Sequence, residues 1–446
     1  MAESVDALVS NTSGATHPGS IPGLGTTEKV ERLSPFSFFR YHLTGLPQTH
    51  HTPRPIIYNM KQQTSRIDTV DALRGFAVMA ILLVHNLEHF IYPVYPTDSP
   101  AWLATLDKGV LDTVFSLFAG KAYAIFALLF GFTFHIQTSN QRKKGKDFGY
   151  RFLWRMLLLV VFATLNAAFF PGGDVLLLFA SVSPVLFLTR NMGCKAILAI
   201  SILFLLQPTE WYHYMAGLID PAHQLPDLKV GEMYADIAAC TKTGNIGEFL
   251  ACNITLGQKA SLLWAVNAGR FVQTAGLFLL GFYIGKKQLF MPLEQNTRTW
   301  TRILMASAIV FAPLYTLKEL LFDCGGLVQQ TVGTAFDMWQ KLAFTLVLVS
   351  SFVLLYQNYG LDKRVDILRH YGKMSLTNYI TQSIIGAVIY FQIGLHLAQY
   401  CGYTVSLLIG LTTFAIQAKL CKWWLNKHSQ GPLERIWHKW TWIGKK

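Results

Sequence analysis

Ten apolar stretches follow one another through this chain, and that succession decides what it can fold into. They fall at about 75–93, 113–137, 152–170, 174–190, 194–212, 266–285, 300–317, 338–357, 375–395 and 403–424. Each is long enough, or nearly so, to cross a bilayer. The fifth is the weakest, because Gln207 and Pro208 interrupt it. In hydrocarbon every backbone N–H and C=O needs a partner inside the protein, which favours α-helices. The chain is 52% hydrophobic and only 14% charged, against roughly 25% charge in soluble domains. The expected fold is therefore all-α: a polytopic membrane protein with about ten transmembrane helices and an outer helical loop acting as a lid.

Loop charges are consistent with that count. The net charge of +13 suggests nucleic acid at first sight. The Lys and Arg residues cluster between apolar blocks, however, which is the pattern of cytoplasmic loops. Lys61 and Arg66 precede the first segment, and Arg142, Lys143, Lys144, Lys146 and Arg151 follow the second. Arg190 and Lys195, then Lys286, Lys287, Arg298 and Arg302, then Lys363, Arg364, Arg369 and Lys373 continue the alternation, which ends with Lys422, Lys427 and Lys439. The intervening loops carry Asp98, Asp107, Asp174, Glu210, Asp220, Asp227, Glu232, Asp236, Glu248 and Asp323. A nucleic-acid partner is excluded. The lipid bilayer is the expected partner, in a bacterial inner membrane with both termini cytoplasmic; a homo-oligomer is left open.

Four regions follow. Residues 1–59 are polar and rich in Gly, Ser and Thr, with no apolar core of a signal peptide, and read as disordered. The run Gly19-Ser20-Ile21-Pro22-Gly23 is what one frame of a tRNA T-arm encodes. That segment is thus either a translated upstream tRNA gene, with Met60 as the true start, or a natural tail. Residues 60–207 form the N-terminal transmembrane half. Residues 208–262 form an outer amphipathic loop, partly helical around 231–239 and 246–253, and 263–446 form the C-terminal half with a cytoplasmic tail. An oxidising outer compartment permits a Cys240–Cys252 bridge across the lid; spacing alone does not fix the pairing.

The first segment, RIDTVDALRGFAVMAILLVHNLEH, holds the residues best suited to chemistry. Arg74 and His85 lie roughly 16 Å apart along a helix axis and return to nearly the same face. A cation near one surface and an imidazole near mid-bilayer then share a stripe, and ionisable groups at that depth default to a functional reading. Arg74 either snorkels while pairing with Asp71, or holds an anionic cytosolic ligand such as a nucleotide phosphate. His85 either hydrogen-bonds a neighbour or accepts a proton near neutral pH. Asn86, Glu88 and His89 follow within a turn and are candidates to line an outer vestibule. Lys121 is a second candidate cation there, and Asp174 in the turn Gly172-Gly173-Asp174 a partner for Lys121 or His89. The run from His85 to His89 fits an H-x-x-E-H pattern, but a third ligand is not identifiable and no metal is expected. Asn378 and Gln382 are an i, i+4 pair that interhelical hydrogen bonding explains.

Three blocks, RIDTVDALRGFAVMAILLVHN, GKAYAIFALLFGFTFHIQ and RFLWRMLLLVVFATLNAAFFPGGDVLLLFA, resemble the N-terminal half of the YeiB-like membrane proteins. YGKMSLTNYITQSIIG and GPLERIWHKWTW resemble their C-terminal domain of unknown function 418. This family is more loosely similar to a transmembrane acyltransferase superfamily that includes the lysosomal heparan-glucosaminide acetyltransferase and bacterial O-antigen acyltransferases. In one branch an Arg on the first helix is followed, after ten residues, by His, as Arg74 and His85 are here. Many YeiB-like relatives carry Asn where this chain has His85, so it departs toward the bacterial O-acyltransferase pattern. His438 and Lys373 stand where relatives often have Arg. The resemblance implies acyl transfer from cytosolic acyl-CoA, docked near Arg74 and Asp71, to an envelope glycan or lipid acceptor. His85 would be the general base, with Asn86 or Lys121 steadying the oxyanion. A proton-coupled transporter and a non-enzymatic envelope scaffold are the rival expectations.

Overall fold

The computed structural model describes residues 67–443, apart from Pro93, Thr97, Asp98, Pro221 and Tyr359. The N-terminal extension with its tRNA-like run, Met60, and the loop charges Lys61, Arg66 and Asp98 lie outside the described residues, as does the Lys363 side chain. Every regular element among the described residues is helical, and the chain is an all-α polytopic membrane protein. In order they are α1 (Asp68–Glu88), α2 (Ala101–Phe118), α3 (Lys121–Arg142), α4 (Gly149–Phe169), α5 (Val175–Val182), α6 (Pro184–Thr189), α7 (Cys194–Leu205) and α8 (Pro208–Ile219). The second part comprises α9 (Val230–Thr241), α10 (Ile246–Cys252), α11 (Gln258–Asn267), α12 (Arg270–Lys286), α13 (Glu294–Asp323), α14 (Thr334–Asn358), α15 (Asp366–Lys373), α16 (Ser375–Tyr390), α17 (Tyr403–Leu425) and α18 (Pro432–Thr441).

All ten apolar segments fall on helices, but not all as single spans. Among the described residues six helical stretches are long and apolar enough to cross, seven if the α7–α8 pair, bent by 46°, counts as one. The second expected segment is two helices. Gly120, at φ +73°, breaks it between α2 and α3. Together they run 42 residues, roughly 63 Å if straight, about twice the hydrocarbon thickness. Pro184 interrupts the fourth, and Gln207, at φ +58°, bends the fifth. Beyond that bend residues 208–219 form α8, the first helix of the stretch expected as an outer loop. α12 and α16 are shorter, at 17 and 16 residues. α13 shows most of its apolar surface outward, with Met305, Ile309 and Leu320 exposed, as a lipid-facing helix does.

Two backbone crossings fix the bundle. α1 meets α15 where Gly75 faces Leu368 O and Gly372 faces Asp71 O, so closely that a Cβ at either glycine would overlap the opposite carbonyl. α3 meets α12 in the same way, Gly131 against Phe278 O and Gly281 against Leu128 O. Between helices in lipid there is no bulk hydrophobic drive, and close approach at small residues supplies the packing. Aromatic layers fill the space between: Phe130 stacks on Phe278 at 4.6 Å, and Phe179 meets Phe278 edge-on at 5.0 Å.

The terminal motif has a mechanical role. The Glu434 carboxylate accepts from Leu376 N at 2.8 Å and Thr377 N at 3.0 Å, capping α16 from across the fold. Arg155 of α4 lies over the Trp437 ring at 4.3 Å, and Arg151 donates to Thr441 O at 2.9 Å. The cap, α9 to α11, is closed by a Cys240–Cys252 disulfide with the Cα atoms 6.5 Å apart. Cys194, Cys324, Cys401 and Cys421 are free.

Two outcomes follow for the isolated protein. Gly75→Leu and Gly372→Leu should each lower the thermal midpoint in detergent or prevent recovery of monodisperse protein. Gly109→Leu, where an added Cβ meets nothing, should leave both unchanged; overpacking of a tight contact costs about 1–3 kcal/mol or more. Non-reducing peptide mapping should recover Cys240 linked to Cys252, with Cys324 alkylated as a free thiol; a Cys324 cross-link would contradict the arrangement.

Candidate functional site

α1 carries one face into a cavity of about 100 Å³. Ile81, Val84, His85, Glu88 and His89 line it, the i, i+3, i+4, i+7, i+8 stripe of a helix. Opposite stand Gly120 and Tyr123 of the α2–α3 break, the Gly172–Val175 turn, Tyr234, Ser261 and Trp264 of the cap, Arg270 and Lys341. Tyr234 ties the cap down by donating to Gly172 O at 2.6 Å. Ser261 donates to Asp174 O at 3.1 Å.

His85 is 6% exposed, and its Nδ1 has no hydrogen-bond partner among the described residues. Its ring lies 4.4 Å from that of Phe170 and 5.6 Å from that of His89. An orphaned buried ring nitrogen beside a cavity is uncommon, since such groups are ordinarily paired. His89 lies just past the end of α1, 3.6 Å from Glu88. Burial holds its imidazole below the usual range; Glu88 opposes that depression and Arg270 adds to it. Arg270 has its guanidinium over the rings of Trp264 at 4.4 Å and Tyr123 at 5.0 Å. Lys341 pairs with Asp337 at 2.5 Å.

Four of the sequence candidates meet in this cavity: His85, Glu88, His89 and Asp174. Four do not. Arg74 donates to Asp71 at 2.8 Å and to Thr133 Oγ1 at 3.0 Å. Along its stripe toward His85 stand Val78, packed against Tyr371, Met374 and Ala418, and Ile81, packed into the largest apolar cluster. The expected common passage is thus filled with side chains. Asp71 is occupied by Arg74. Asn86 turns to the other face of α1, donating to Leu82 O at 2.8 Å and accepting from Tyr390 at 3.0 Å. Lys121 points to Phe115 O at 3.4 Å, toward α14 and away from the cavity. Asp174 is partner to neither Lys121 nor His89. It caps α5, accepting from Leu176 N at 3.1 Å and Leu177 N at 3.2 Å, and accepts from Asn166 at 3.1 Å.

Arg270, Tyr234 and Trp264 were not anticipated. Tyr234 and Trp264 lie in or beside the loop read as a lid, and Arg270 opens a segment read only as a span; nothing in their spacing links them to His85. At the other end of the α3–α12 pair a second cavity, of about 340 Å³, is lined by His135, Thr138, Arg142, Lys143 and Lys286. Arg142 also bonds Arg190 O at 3.0 Å and Asn191 at 2.7 Å.

The chain has relatives among known proteins. Residues 284–444 match the family model described as a protein of unknown function, DUF418. The chain is 25% identical over 401 residues to the uncharacterized protein YxaH of Bacillus subtilis, covering 85% of this chain and 94% of that one. It is 24% identical over 393 residues to an uncharacterized 39.9 kDa protein from the amylase 3' region of Bacillus acidopullulyticus, with 85% and 95% covered. To the uncharacterized protein YeiB of Escherichia coli it is 23% identical over 412 residues, with 84% and 95% covered. The chain is thus similar along most of its length to YeiB and YxaH, and its residues 284–444 resemble the DUF418 family. No solved structure matches it. Within the matched stretch the segments around Ser375 and Pro432 meet at the Glu434 cap.

Burial pushes the Asp174 carboxyl up to about 7, against the pull of the Leu176, Leu177 and Asn166 hydrogen bonds. A folded pKa above the unfolded value gives stability that is full below about pH 4 and lost as pH rises through about 7. The thermal midpoint of the native protein should therefore fall relative to Asp174→Asn between pH 4 and 7. Asp174→Ala should be weaker at every pH, by the 0.5–2 kcal/mol of a lost cap, taken as an order of magnitude.

Proposed function

We propose that the chain is a membrane-embedded acyltransferase that moves an acyl group from cytosolic acyl-CoA to a glycan or lipid acceptor of the envelope. The observation that carries this reading is His85: a buried imidazole with an unsatisfied Nδ1, facing a cavity that a cap covers. About 100 Å³ is small beside the several hundred of ordinary ligand pockets. Such a space suits the reacting ends of two larger molecules better than a whole solute.

In this scheme His85 takes the proton of an acceptor hydroxyl. The freed oxygen attacks the thioester carbonyl, the C–S bond breaks, and the CoA thiolate leaves and is protonated. Charge on the thioester oxygen would meet the amino end of α3, whose Gly120 and Ala122 line the cavity. That end takes over the part the sequence assigned to Asn86 or Lys121. The basic cavity at His135, Arg142, Lys143 and Lys286 offers the phosphates of the donor a mooring on the side where the basic loops gather. That side is cytoplasmic by the positive-inside rule, with an inner-membrane location. Arg74 then serves to hold α1 on α3 through Thr133.

The transporter reading has one observation in its favour. Cavities at both ends of the α3–α12 pair, with the stacked Phe130 and Phe278 along the pair between them and broken helices at Gly120 and Gln207, resemble a closed two-gate path. Either function requires those rings to move.

Purified protein with radiolabelled acetyl-CoA and an envelope-glycan extract decides between the two. The acyltransferase reading predicts acyl transfer by the native chain. It predicts a 10²- to 10⁴-fold loss in His85→Ala, the usual worth of a general base, with acyl-CoA binding retained. Absence of acyl-CoA binding, together with proton-coupled uptake in vesicles, would establish the transporter instead.

A further inference from the structure

We infer that the outer cavity holds an oxyanion, a carboxylate or a phosphate group, clamped by Arg270. The inference concerns binding and stands whether or not acyl transfer takes place there. Only assigning the anion to the acceptor rests on the preceding reading.

Four observations carry it. Arg270 lines the cavity, and among the described residues its guanidinium has no hydrogen bond or ion pair to a protein acceptor. It lies over the rings of Trp264 and Tyr123, contacts that do not occupy its N–H donors. A planar fork of this kind matches carboxylate and phosphate geometry. The amino end of α3 opens on the same cavity, and its Gly120 cap supplies no side-chain acceptor to the first-turn N–H groups. Uncapped helix starts favour anions. His85, whose buried Nδ1 has no partner among the described residues, lines the same space.

The local acids leave room for such a guest. Asp174 is committed to the α5 cap and Asn166. Asp337 is committed to Lys341. Glu88 lines the cavity as well, 3.6 Å from His89, and is the acid across which Arg270 must hold the anion. Glu210 sits instead behind Gly269, at the start of α12, so the α12 amino end is not counted toward the site.

The same group can arrive as a free ion or as a lipid headgroup, and the test separates them. The full chain in detergent is titrated with inorganic phosphate at constant ionic strength against chloride, and its thermal midpoint is followed. In parallel it is placed in nanodiscs of phosphatidylcholine with and without phosphatidylglycerol. A saturable rise with phosphate, weakened at least tenfold in Arg270→Gln, identifies a free-anion site. A rise only with phosphatidylglycerol, again lost in Arg270→Gln, identifies a headgroup site. If Arg270→Gln does not fold, Arg270→Lys serves, with affinity reduced several-fold for want of the fork. No rise with either probe, or one that Arg270→Gln or Arg270→Lys leaves unchanged, overturns the inference.

Discussion

Everything about this site depends on α3 lying backbone to backbone on α12. Gly131 and Gly281 remove the side chains that would hold the two helices apart, and the carbonyls of Phe278 and Leu128 occupy the space. That contact sets α3 in register with α12, so that Lys121 and Arg270, the first residues of the two helices, emerge at one end of the pair. Lys121 then turns to α14, while Arg270 turns into the cavity. The second glycine crossing, Gly75 on Gly372, does the same for α1. With α1 fixed at its amino end, the stripe that carries His85 is presented to the start of α3. In a bilayer such contacts carry weight because the apolar surfaces on either side are indifferent to whether they meet lipid or protein.

The cap converts that geometry into an enclosed site. Tyr234 on Gly172 O and Ser261 on Asp174 O bind it to the Gly172–Val175 turn. The disulfide between Cys240 and Cys252 shortens the free chain of the cap itself. Removing a charged or polar group from water is costly unless it is paired. Among the described residues the cavity lining nevertheless includes a buried imidazole nitrogen without a partner and a half-buried guanidinium with no protein acceptor. Sites that keep such a cost in place are where a ligand is expected to satisfy it.

Much of the fold was legible in the sequence because each apolar segment carries its own signal. Length and hydropathy marked the positions of the helices, and Gln207 with Pro208 announced the α7–α8 bend. The number of spans was less legible, since a break such as Gly120 leaves the apolar run uninterrupted. For the site, His85, Glu88 and His89 were readable from α1 alone, because helical periodicity places them on one stripe. Asn86, one residue on, was assigned to the same site although its neighbour's rotation turns it to Tyr390. Arg74 shares the stripe of His85, yet Val78 and Ile81 fill the path between them. Angle along a helix is written in the sequence; what packs against that face is not. Arg270 was invisible for the same reason, being brought to His85 only by tertiary crossing.

The central claim is that the reacting ends of donor and acceptor meet beside His85, under the cap. A density map of the full chain in nanodiscs with a non-hydrolysable acyl-CoA thioether tests it most directly. The account predicts the acyl terminus within hydrogen-bonding reach of the His85 ring, with Phe130 and Phe278 parted and the nucleotide end among Arg142, Lys143 and Lys286. An analogue bound with its acyl end outside the bundle, beside an unchanged Phe130–Phe278 stack and an empty His85 cavity, would contradict it.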